Sequence, residues 1–284
     1  MRLVEEYWGP TDPIIPIRSN SQFLQGIKTA AFEITRATLN PRHQEDATEA
    51  MGFLFDQLAE FESQLRTEQY NALFRVYLVP FHTCQVCGVE TESRENTDVG
   101  IAIDVLTQHN TVDDAIQYKF RNDPGPQSAC HSDICNGANT VKDQLWVLRA
   151  APRILRVTLL LFNHNPVTNT YQKNMHALKI GEELDLTQYQ ECKGVPLKYR
   201  LSAVVPHSGP RANAGHYVAS VRSQGENPYY NINDRQVGQI DGAAFTANPQ
   251  RPPGFKSAGF QAYILTYIRD EAPLEQYLRE HGPR

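Results

Sequence analysis

The sequence has little of the features that would direct it to a membrane, a nucleic acid or a secretory route. Its most apolar stretch, residues 154–162, has the length of a β-strand and not of a membrane span. A formal net charge of −5 gives the chain no attraction to phosphate backbones, so we expect no nucleic-acid partner. The first residues lack the apolar run of a secretion signal. These absences favour a cytoplasmic or nuclear protein with no membrane partner.

Cysteine is also scarce, with five in 284 residues, and four of the five form two closely spaced pairs. The pairs are Cys84 with Cys87 and Cys130 with Cys135. Each spacing lets one turn direct two thiolates at the same ion, and two such turns complete a tetrahedral zinc site. His131 could replace one sulfur, and four unrelated buried thiols are the alternative. We expect a structural zinc site, because four protein ligands leave no open position for a substrate.

The pattern of apolar residues predicts helices first and strands later. Helical spacing is present over residues 20–38 and 45–62, and a short helix opened by Thr111 is predicted over 111–120. Strands are predicted over residues 74–79, 99–105, 154–162, 199–206, 216–222, 229–233 and 260–268, and a final helix over 272–280. This order of elements is typical of an α+β domain.

The most specific motif lies in three segments late in the chain. They read His207-Ser208-Gly209, then Gly215-His216-Tyr217-Val218-Ala219, then Tyr230-Asn231-Ile232-Asn233-Asp234. In this order they resemble the histidine box of the ubiquitin-specific proteases. The resemblance implies that His216 is the catalytic base and that Asn233 orients its ring, with Asp234 as the alternative orienting residue. Asn233 follows His216 by 233 − 216 = 17 residues, and a hairpin of that size can place the two side chains together.

Two segments further upstream carry the same resemblance. Gln44-Glu45-Asp46-Ala47 opens the second predicted helix, where the family has Gln-Gln-Asp-Ala, and residues 152–159 match the family's core strand. The resemblance implies that Asp46 helps to hold the basic tail of ubiquitin, and that Gly215 and Tyr217 also contact the substrate. The alternative for Asp46 is a first-turn carboxylate that interacts favourably with the helix dipole.

The nucleophile of that family is missing from its expected place. In the family it lies in an Asn-x-Cys-(Tyr/Phe) box at a helix start, which lowers the pKa of the thiol. No cysteine precedes Cys84, and the nearest similar stretch has Gln22 at the cysteine position. Cys192 lies in a loop without a helix start or a cation to activate it, and is best explained as an ordinary thiol. Either the protein is an inactive relative, or the sequence begins downstream of the cysteine box; the retained His216 and Asn233 favour the second explanation.

The resemblance therefore implies a papain-like cysteine protease fold formed by one domain over residues 1–284. We expect a truncated helical thumb (1–73), zinc-bearing β fingers (74–150), an antiparallel β palm with the histidine box (151–270) and a C-terminal helix (271–284). The implied function is thiol-dependent hydrolysis of the isopeptide bond at the ubiquitin C-terminus, with ubiquitin or ubiquitinated proteins as partners. An inactive ubiquitin-binding pseudoprotease is the alternative, and a zinc-stabilised scaffold without ubiquitin affinity is a third. Linkage preference and oligomeric state leave no signal in the sequence.

Overall fold

The computed structural model describes residues 46–60, 64–121, 124–165, 170–222, 228–234, 236–241, 259–273 and 275–276. The helix predicted over residues 20–38 lies outside these ranges, and so does the end of the helix predicted over 272–280. In the part of the chain that is described, no helix has the length and apolar character needed to cross a membrane.

Two helices precede the first sheet. Helix α1 (Ala47–Glu60) confirms the second predicted helix, and α2 (Gln64–Phe74) was not predicted. Aromatic contacts with α1 explain α2: the Phe55 and Phe74 rings lie 4.9 Å apart, and the Tyr70 hydroxyl donates to the Phe55 carbonyl over 2.8 Å. Phe74 therefore ends a helix, and the strand predicted to begin there starts two residues later.

Helix α3 (Val112–Arg121) begins at the predicted capping residue. The Thr111 hydroxyl accepts from the Asp114 N–H over 3.0 Å, and the Asp114 carboxylate accepts from the Thr111 N–H over 2.9 Å. These two reciprocal hydrogen bonds satisfy two backbone N–H groups at the start of the helix. The buried face of α3 consists of Val112, Ala115, Ile116 and Phe120.

Sixteen strands run through the described residues. They are β1 (Val76–Cys84), β2 (Glu90–Glu92), β3 (Asn96–Asp98), β4 (Ile101–Asp104), β5 (Pro124–Ala129), β6 (Asn139–Ala150), β7 (Ile154–Leu160), β8 (Phe162–Asn165), β9 (Thr170–Lys173), β10 (Glu183–Asp185), β11 (Lys198–Arg211), β12 (Ala214–Tyr217), β13 (Ala219–Arg222), β14 (Pro228–Asn233), β15 (Gln236–Asp241) and β16 (Phe260–Arg269). The predicted strand over 216–222 is thus two strands, separated at Val218.

The strands form two main sheets and one hairpin. The smaller sheet has the order β2-β1-β6-β5, with β3 also paired to β1, and all its pairs are antiparallel. The larger sheet has nine strands in the order β15-β14-β13-β11-β16-β7-β4, with β10 and β12 also paired to β11. It is antiparallel except where β4 pairs with β7. Strands β8 and β9 form the hairpin.

The main hydrophobic core lies against the larger sheet and is continuous with α3. Tyr199 and Tyr267 are among its largest fully buried side chains. The Tyr199 hydroxyl donates to the Pro152 carbonyl over 2.6 Å, so this buried polar group is satisfied. The core therefore fixes the strands on which the histidine box lies.

The cap of α3 gives a direct stability test. Thr111→Ala removes the oxygen that accepts from the Asp114 N–H, and we expect the free energy of unfolding to fall by about 1 kcal/mol. Thr107→Ala, at an exposed position in the preceding turn, is the control and should change stability by less than about 0.5 kcal/mol. Urea denaturation of the three proteins checks this, and equal losses in both variants would contradict a capping role.

Candidate functional site

His216 is placed by the register of β12 against the end of β11. In this pairing Ser208 lies opposite His216, and His207 lies opposite Tyr217. The two strands approach each other closely at Gly215: a Cβ there would overlap the Ser208 carbonyl and would lie 2.7 Å from His207 Nε2. Glycine is therefore required beside His216 for this register to form.

Asn233 reaches the histidine from the end of β14, which pairs with β13. Its Oδ1 lies 2.6 Å from His216 Nε2. Since an amide oxygen can only accept, Nε2 carries the hydrogen and Nδ1 is the basic nitrogen of the ring. The Phe260 ring packs edge-on against the imidazole at 6.1 Å. The site thus contains a histidine with a fixed tautomer and a free basic nitrogen among the described residues.

Asp234, the other candidate for orienting the histidine, is placed differently. It is exposed and lies in the turn after β14 with φ of 52°. The described residues show no hydrogen bond between it and His216. The structure therefore brings His216 together with Asn233 and not with Asp234.

Asp46 caps α1 and also contacts the larger sheet. Its Oδ1 accepts from the Thr48 N–H over 2.7 Å, and its Oδ2 accepts from the Tyr263 hydroxyl over 2.7 Å. Burial raises the pKa of Tyr263, and the Asp46 charge adds to the shift. This hydroxyl therefore remains a donor to the carboxylate at neutral pH. Both explanations of Asp46 given by the sequence are compatible with this geometry, because the carboxylate lies at the helix start and faces the larger sheet.

Tyr217 joins the β11–β12 turn to α1. Its hydroxyl donates to the Ala212 carbonyl over 2.6 Å, and its hydroxyl oxygen accepts from the Ala47 N–H. Burial raises the pKa of Tyr217, with a further contribution from the Asp46 charge. A neutral hydroxyl therefore holds the turn that precedes His216.

His207 is a second histidine beside the site whose role the sequence did not predict. It is fully buried, with its ring 4.5 Å from that of Tyr217 and 5.4 Å from that of Phe162. Burial lowers the pKa of His207 to about 4, and the adjacent Lys173 ammonium adds to the shift. Lys173 donates to the His207 carbonyl over 2.8 Å. This buried imidazole packs the site, and the His-Ser-Gly motif itself carries no signal of that packing role.

The four paired cysteines meet at the far end of the smaller sheet. Their Sγ atoms all lie within 4.8 Å of one another, with 3.8 Å between Cys84 and Cys135 and 3.6 Å between Cys87 and Cys130. Four sulfurs around one zinc ion at 2.3 Å would be separated by about 3.8 Å, so the cluster fits a tetrahedral metal. His131 is exposed and lies outside this group.

Two hydroxyls contact the sulfurs from outside. The Ser132 hydroxyl donates to Cys87 Sγ over 3.2 Å and accepts from the Cys135 N–H over 3.2 Å. Thr140 Oγ1 lies 3.2 Å from Cys84 Sγ, and this hydrogen bond, with the Cys87 N–H, lowers the pKa of Cys84 to about 5. These contacts therefore favour the thiolate of Cys84, which is the form that binds metal, whereas burial and the neighbouring cysteines raise the pKa of Cys135 despite its hydrogen bond with Ser132.

Cys192 is exposed and remote from the histidine. Its neighbour Glu191 pairs with Arg149 at 3.1 Å and lies near the beginning of β11. His216 lies opposite Ser208, near the other end of that strand. Ser208 follows the first residue of β11, Lys198, by 208 − 198 = 10 residues, which corresponds to about 33 Å along a β-strand. The described residues therefore place no thiol beside His216.

These features define a class of protein. The chain has helices followed by a mostly antiparallel sheet, a separate sheet that ends in a four-cysteine cluster, and a histidine at a strand end that is hydrogen-bonded to an asparagine. This combination is the papain-like fold of the ubiquitin-specific proteases. A sequence model of the ubiquitin carboxyl-terminal hydrolases matches residues 9–267, and the chain belongs to this family.

Curated relatives carry the same family name. A ubiquitin carboxyl-terminal hydrolase 48 of Danio rerio is 29% identical over 143 residues, which cover 45% of this chain and 14% of that protein. The probable ubiquitin carboxyl-terminal hydrolase creB of Aspergillus flavus is 26% identical over 246 residues, which cover 86% of this chain and 30% of that protein. The chain thus spans less than a third of the length of these two relatives.

A solved structure with a similar fold is the SAGA DUB module of Ubp8, Sgf11, Sus1 and Sgf73 bound to monoubiquitin. It aligns with a TM-score of 0.71 at 19% identity, over 89% of this chain and 55% of that chain. The same module bound to ubiquitin aldehyde aligns with a TM-score of 0.71 at 19% identity, over 88% and 54%. At this identity the likeness shows the fold.

Asp46 yields a second testable prediction. Asp46→Ala removes the acceptor of both the Thr48 N–H and the Tyr263 hydroxyl, and we expect a loss of about 1–2 kcal/mol in the free energy of unfolding. Asp46→Asn keeps Oδ1, which lies 2.7 Å from the Thr48 nitrogen and 3.0 Å from the Tyr263 hydroxyl oxygen, so both donors keep an acceptor. The loss should be less than about 0.5 kcal/mol, because asparagine caps as well as aspartate. Thermal and urea unfolding check both variants. An equal loss in the two would show that charge, and not the acceptor oxygen, stabilises this junction.

Proposed function

We propose that this chain forms the palm and fingers of a cysteine-type deubiquitinase that hydrolyses the isopeptide bond at the ubiquitin C-terminus. The observation that carries the proposal is the 2.6 Å hydrogen bond between His216 and Asn233 in a chain of the ubiquitin carboxyl-terminal hydrolase family. We further propose the division into thumb (1–73), fingers (74–150), palm (151–270) and C-terminal helix (271–284).

The proposed chemistry follows from which ring nitrogen is free. Nδ1 of His216 would take the proton of a cysteine thiol as the sulfur attacks the scissile carbonyl, and would return it to the departing lysine amine. Asn233 would hold the ring in the required tautomer and stabilise the imidazolium by accepting from Nε2. Water would then hydrolyse the thioester, with the same histidine as base. The thiol is not among the described residues near His216.

A pseudoprotease that binds ubiquitin without cleaving it is the second candidate. It is favoured by one observation: four of the five cysteines form the cluster, and the fifth, Cys192, lies in an exposed loop before β11. Both candidates require the same ubiquitin-binding surface. They differ only in whether a thiol reaches Nδ1 of His216.

For ubiquitin recognition we propose Asp46, Gly215 and Tyr217. The half-buried Asp46 carboxylate lies at the helix start beside the histidine strands, where a negative charge attracts the basic tail of ubiquitin. Gly215 lies next to His216 on β12, and the close approach of β11 that it permits sets the position of the backbone that would border the substrate. The two SAGA DUB structures described above contain bound ubiquitin or ubiquitin aldehyde, which supports a ubiquitin-binding role for this fold.

Ubiquitin titration tests the shared part of both candidates. We expect the purified chain to bind ubiquitin and Asp46→Asn to weaken binding about tenfold, the effect of losing roughly 1.4 kcal/mol from one charged contact. Asp56→Asn removes an equal charge from an exposed position on the same helix and should leave the affinity unchanged. Calorimetry provides the dissociation constants. A wild-type chain that does not bind ubiquitin would eliminate both candidates.

Turnover separates the two candidates. The chain as given should not cleave a ubiquitin–fluorophore amide, because no described thiol lies beside His216. In a longer form that supplies the cysteine box, His216→Ala should lower kcat/KM about 10⁴-fold, and Asn233→Ala should lower it less, because the base remains. Labelling of the chain by a thiol-reactive ubiquitin probe, if it is lost in Cys192→Ala, would contradict the first expectation. Equal activity of the longer form and its His216→Ala variant would contradict the second.

For the cysteine cluster we propose a structural zinc ion, held by Cys84, Cys87, Cys130 and Cys135. The four sulfurs fill a tetrahedral set, so bound metal would cross-link β1 to the turn before β6 and supply no open position for catalysis.

We expect one zinc per chain by elemental analysis. Chelation should increase hydrogen exchange in β1, β5 and β6, because metal binding is coupled to the folding of that sheet. The larger sheet should keep its protection and serves as the internal control. Protein purified without chelators and found free of zinc would refute the assignment.

A further inference from the structure

The buried ring of His207 lies directly behind the residue that precedes His216. His207 is fully buried, and its Nε2 would lie 2.7 Å from a Cβ at Gly215. Strands β11 and β12 pair at this point, with Ser208 opposite His216. The ring therefore supports the backbone from which the histidine of the site emerges, and a rotation of the ring would press on Gly215 and displace His216.

The hydrogen-bonding contact of this ring is with Lys173. The lysine is the last residue of β9, and its Nζ donates to the His207 carbonyl over 2.8 Å and lies 3.4 Å from His207 Nδ1. The other ring nitrogen, Nε2, is buried without a hydrogen-bond partner among the described residues. Phe162, Tyr217 and Tyr263 pack against the ring, but aromatic contacts do not select which nitrogen carries the hydrogen. Lys173 is thus the group that distinguishes the two nitrogens.

The charges around the ring keep it neutral. The charged or titratable groups that face it are Lys173, Asp46, His216, Tyr217 and Tyr263. Burial is the main cause that lowers the pKa of His207, and Lys173 and His216 add to this effect while Asp46 opposes it. Burial also raises the pKa of both tyrosines, so they stay uncharged. An ammonium has only donors, so the Nδ1 that faces Lys173 accepts and the ring hydrogen lies on Nε2.

The β8–β9 hairpin brings Lys173 to this position. Its register pairs Phe162 with Lys173, and the Lys173 Nζ lies 5.9 Å from the centre of the Phe162 ring. We propose that Lys173 is a positioning residue for His216, which ties the hairpin to the end of β11 and fixes the tautomer of the His207 ring behind Gly215. This role rests on the proposed function, in which His216 is the base, and adds to it a residue that acts through His207.

Lys173→Met keeps the length of the side chain and removes its charge and its donors. We expect the His207 ring to carry its hydrogen on Nε2 in the wild type and to become a mixture of the two neutral tautomers in this variant. Its titration midpoint should rise by about 1 pH unit, because a neighbouring positive charge is lost, and should stay below the ordinary range because burial remains. Lys173→Arg keeps a cation with donors and should restore the wild-type behaviour.

Nitrogen-15 NMR of the full chain with labelled histidines measures the tautomer and the midpoint, and His207→Gln identifies the signals. Hydrogen exchange measures the effect on the strand of the site. The Val218 N–H donates to the Pro206 carbonyl over 3.2 Å next to this ring, and its exchange should become about tenfold faster in Lys173→Met. Lys179→Met, at an exposed position between β9 and β10, is the control and should change neither quantity. Unchanged exchange in the pairing of β7 with β16 shows that each variant is folded.

Each result decides the positioning role. An unchanged His207 tautomer in Lys173→Met overturns it, since a side chain that only fills space is replaced by methionine without that change. An unchanged exchange rate at Val218 overturns it as well, and so does a Lys173→Arg chain that behaves like Lys173→Met. The proposed function fails separately, because a chain that does not bind ubiquitin eliminates it whatever the histidine spectra show.

Discussion

The register of β11 is the constraint on which the rest of the larger sheet depends. This strand pairs with β16 along its length and also with β10, β12 and β13. A shift of one residue would turn every side chain of β11 to the opposite face of the sheet. It would also move His216 away from its position opposite Ser208 and break the approach at Gly215. The buried tyrosines and aliphatic side chains of the core oppose such a shift, so the geometry of the site is a consequence of core packing.

The smaller sheet is stabilised differently. Its strands β2 and β3 are exposed along their whole length, and the buried residues at its far end are the cysteines. A sheet with so little buried apolar surface gains little from the hydrophobic effect at that end. The proposed metal cross-link would supply what the core does not, and Thr140 is buried at this end beside the sulfurs. The two sheets therefore illustrate two sources of stability in one chain.

The parts of the fold that were predictable from sequence are those whose signal is local. The Thr111 cap, the helical spacing of α1 and the apolar runs of β7, β11 and β16 each follow from a few adjacent residues. Strand β6 was missed because its inward-facing positions include Thr140 and Lys142, which do not form an apolar alternation. Their burial depends on the cysteine cluster, a non-local feature. Helix α2 was missed for a similar reason, since aromatic contacts with α1 order it.

Among the described residues the His216–Asn233 pair forms without a thiol in contact with it, which shows what orients the imidazole. Asn233 lies at the end of β14, and two residues earlier on the same face the buried Asn231 accepts from the Ser220 hydroxyl over 2.6 Å. This polar bridge joins β13 to β14 directly behind the site and restricts how β14 can rotate. The orientation of the imidazole is thus determined by strand pairing and buried polar contacts, and not by a nucleophile. In the proposed mechanism, a thiol brought to Nδ1 would meet an imidazole already in the required tautomer, with little reorganisation needed before proton transfer.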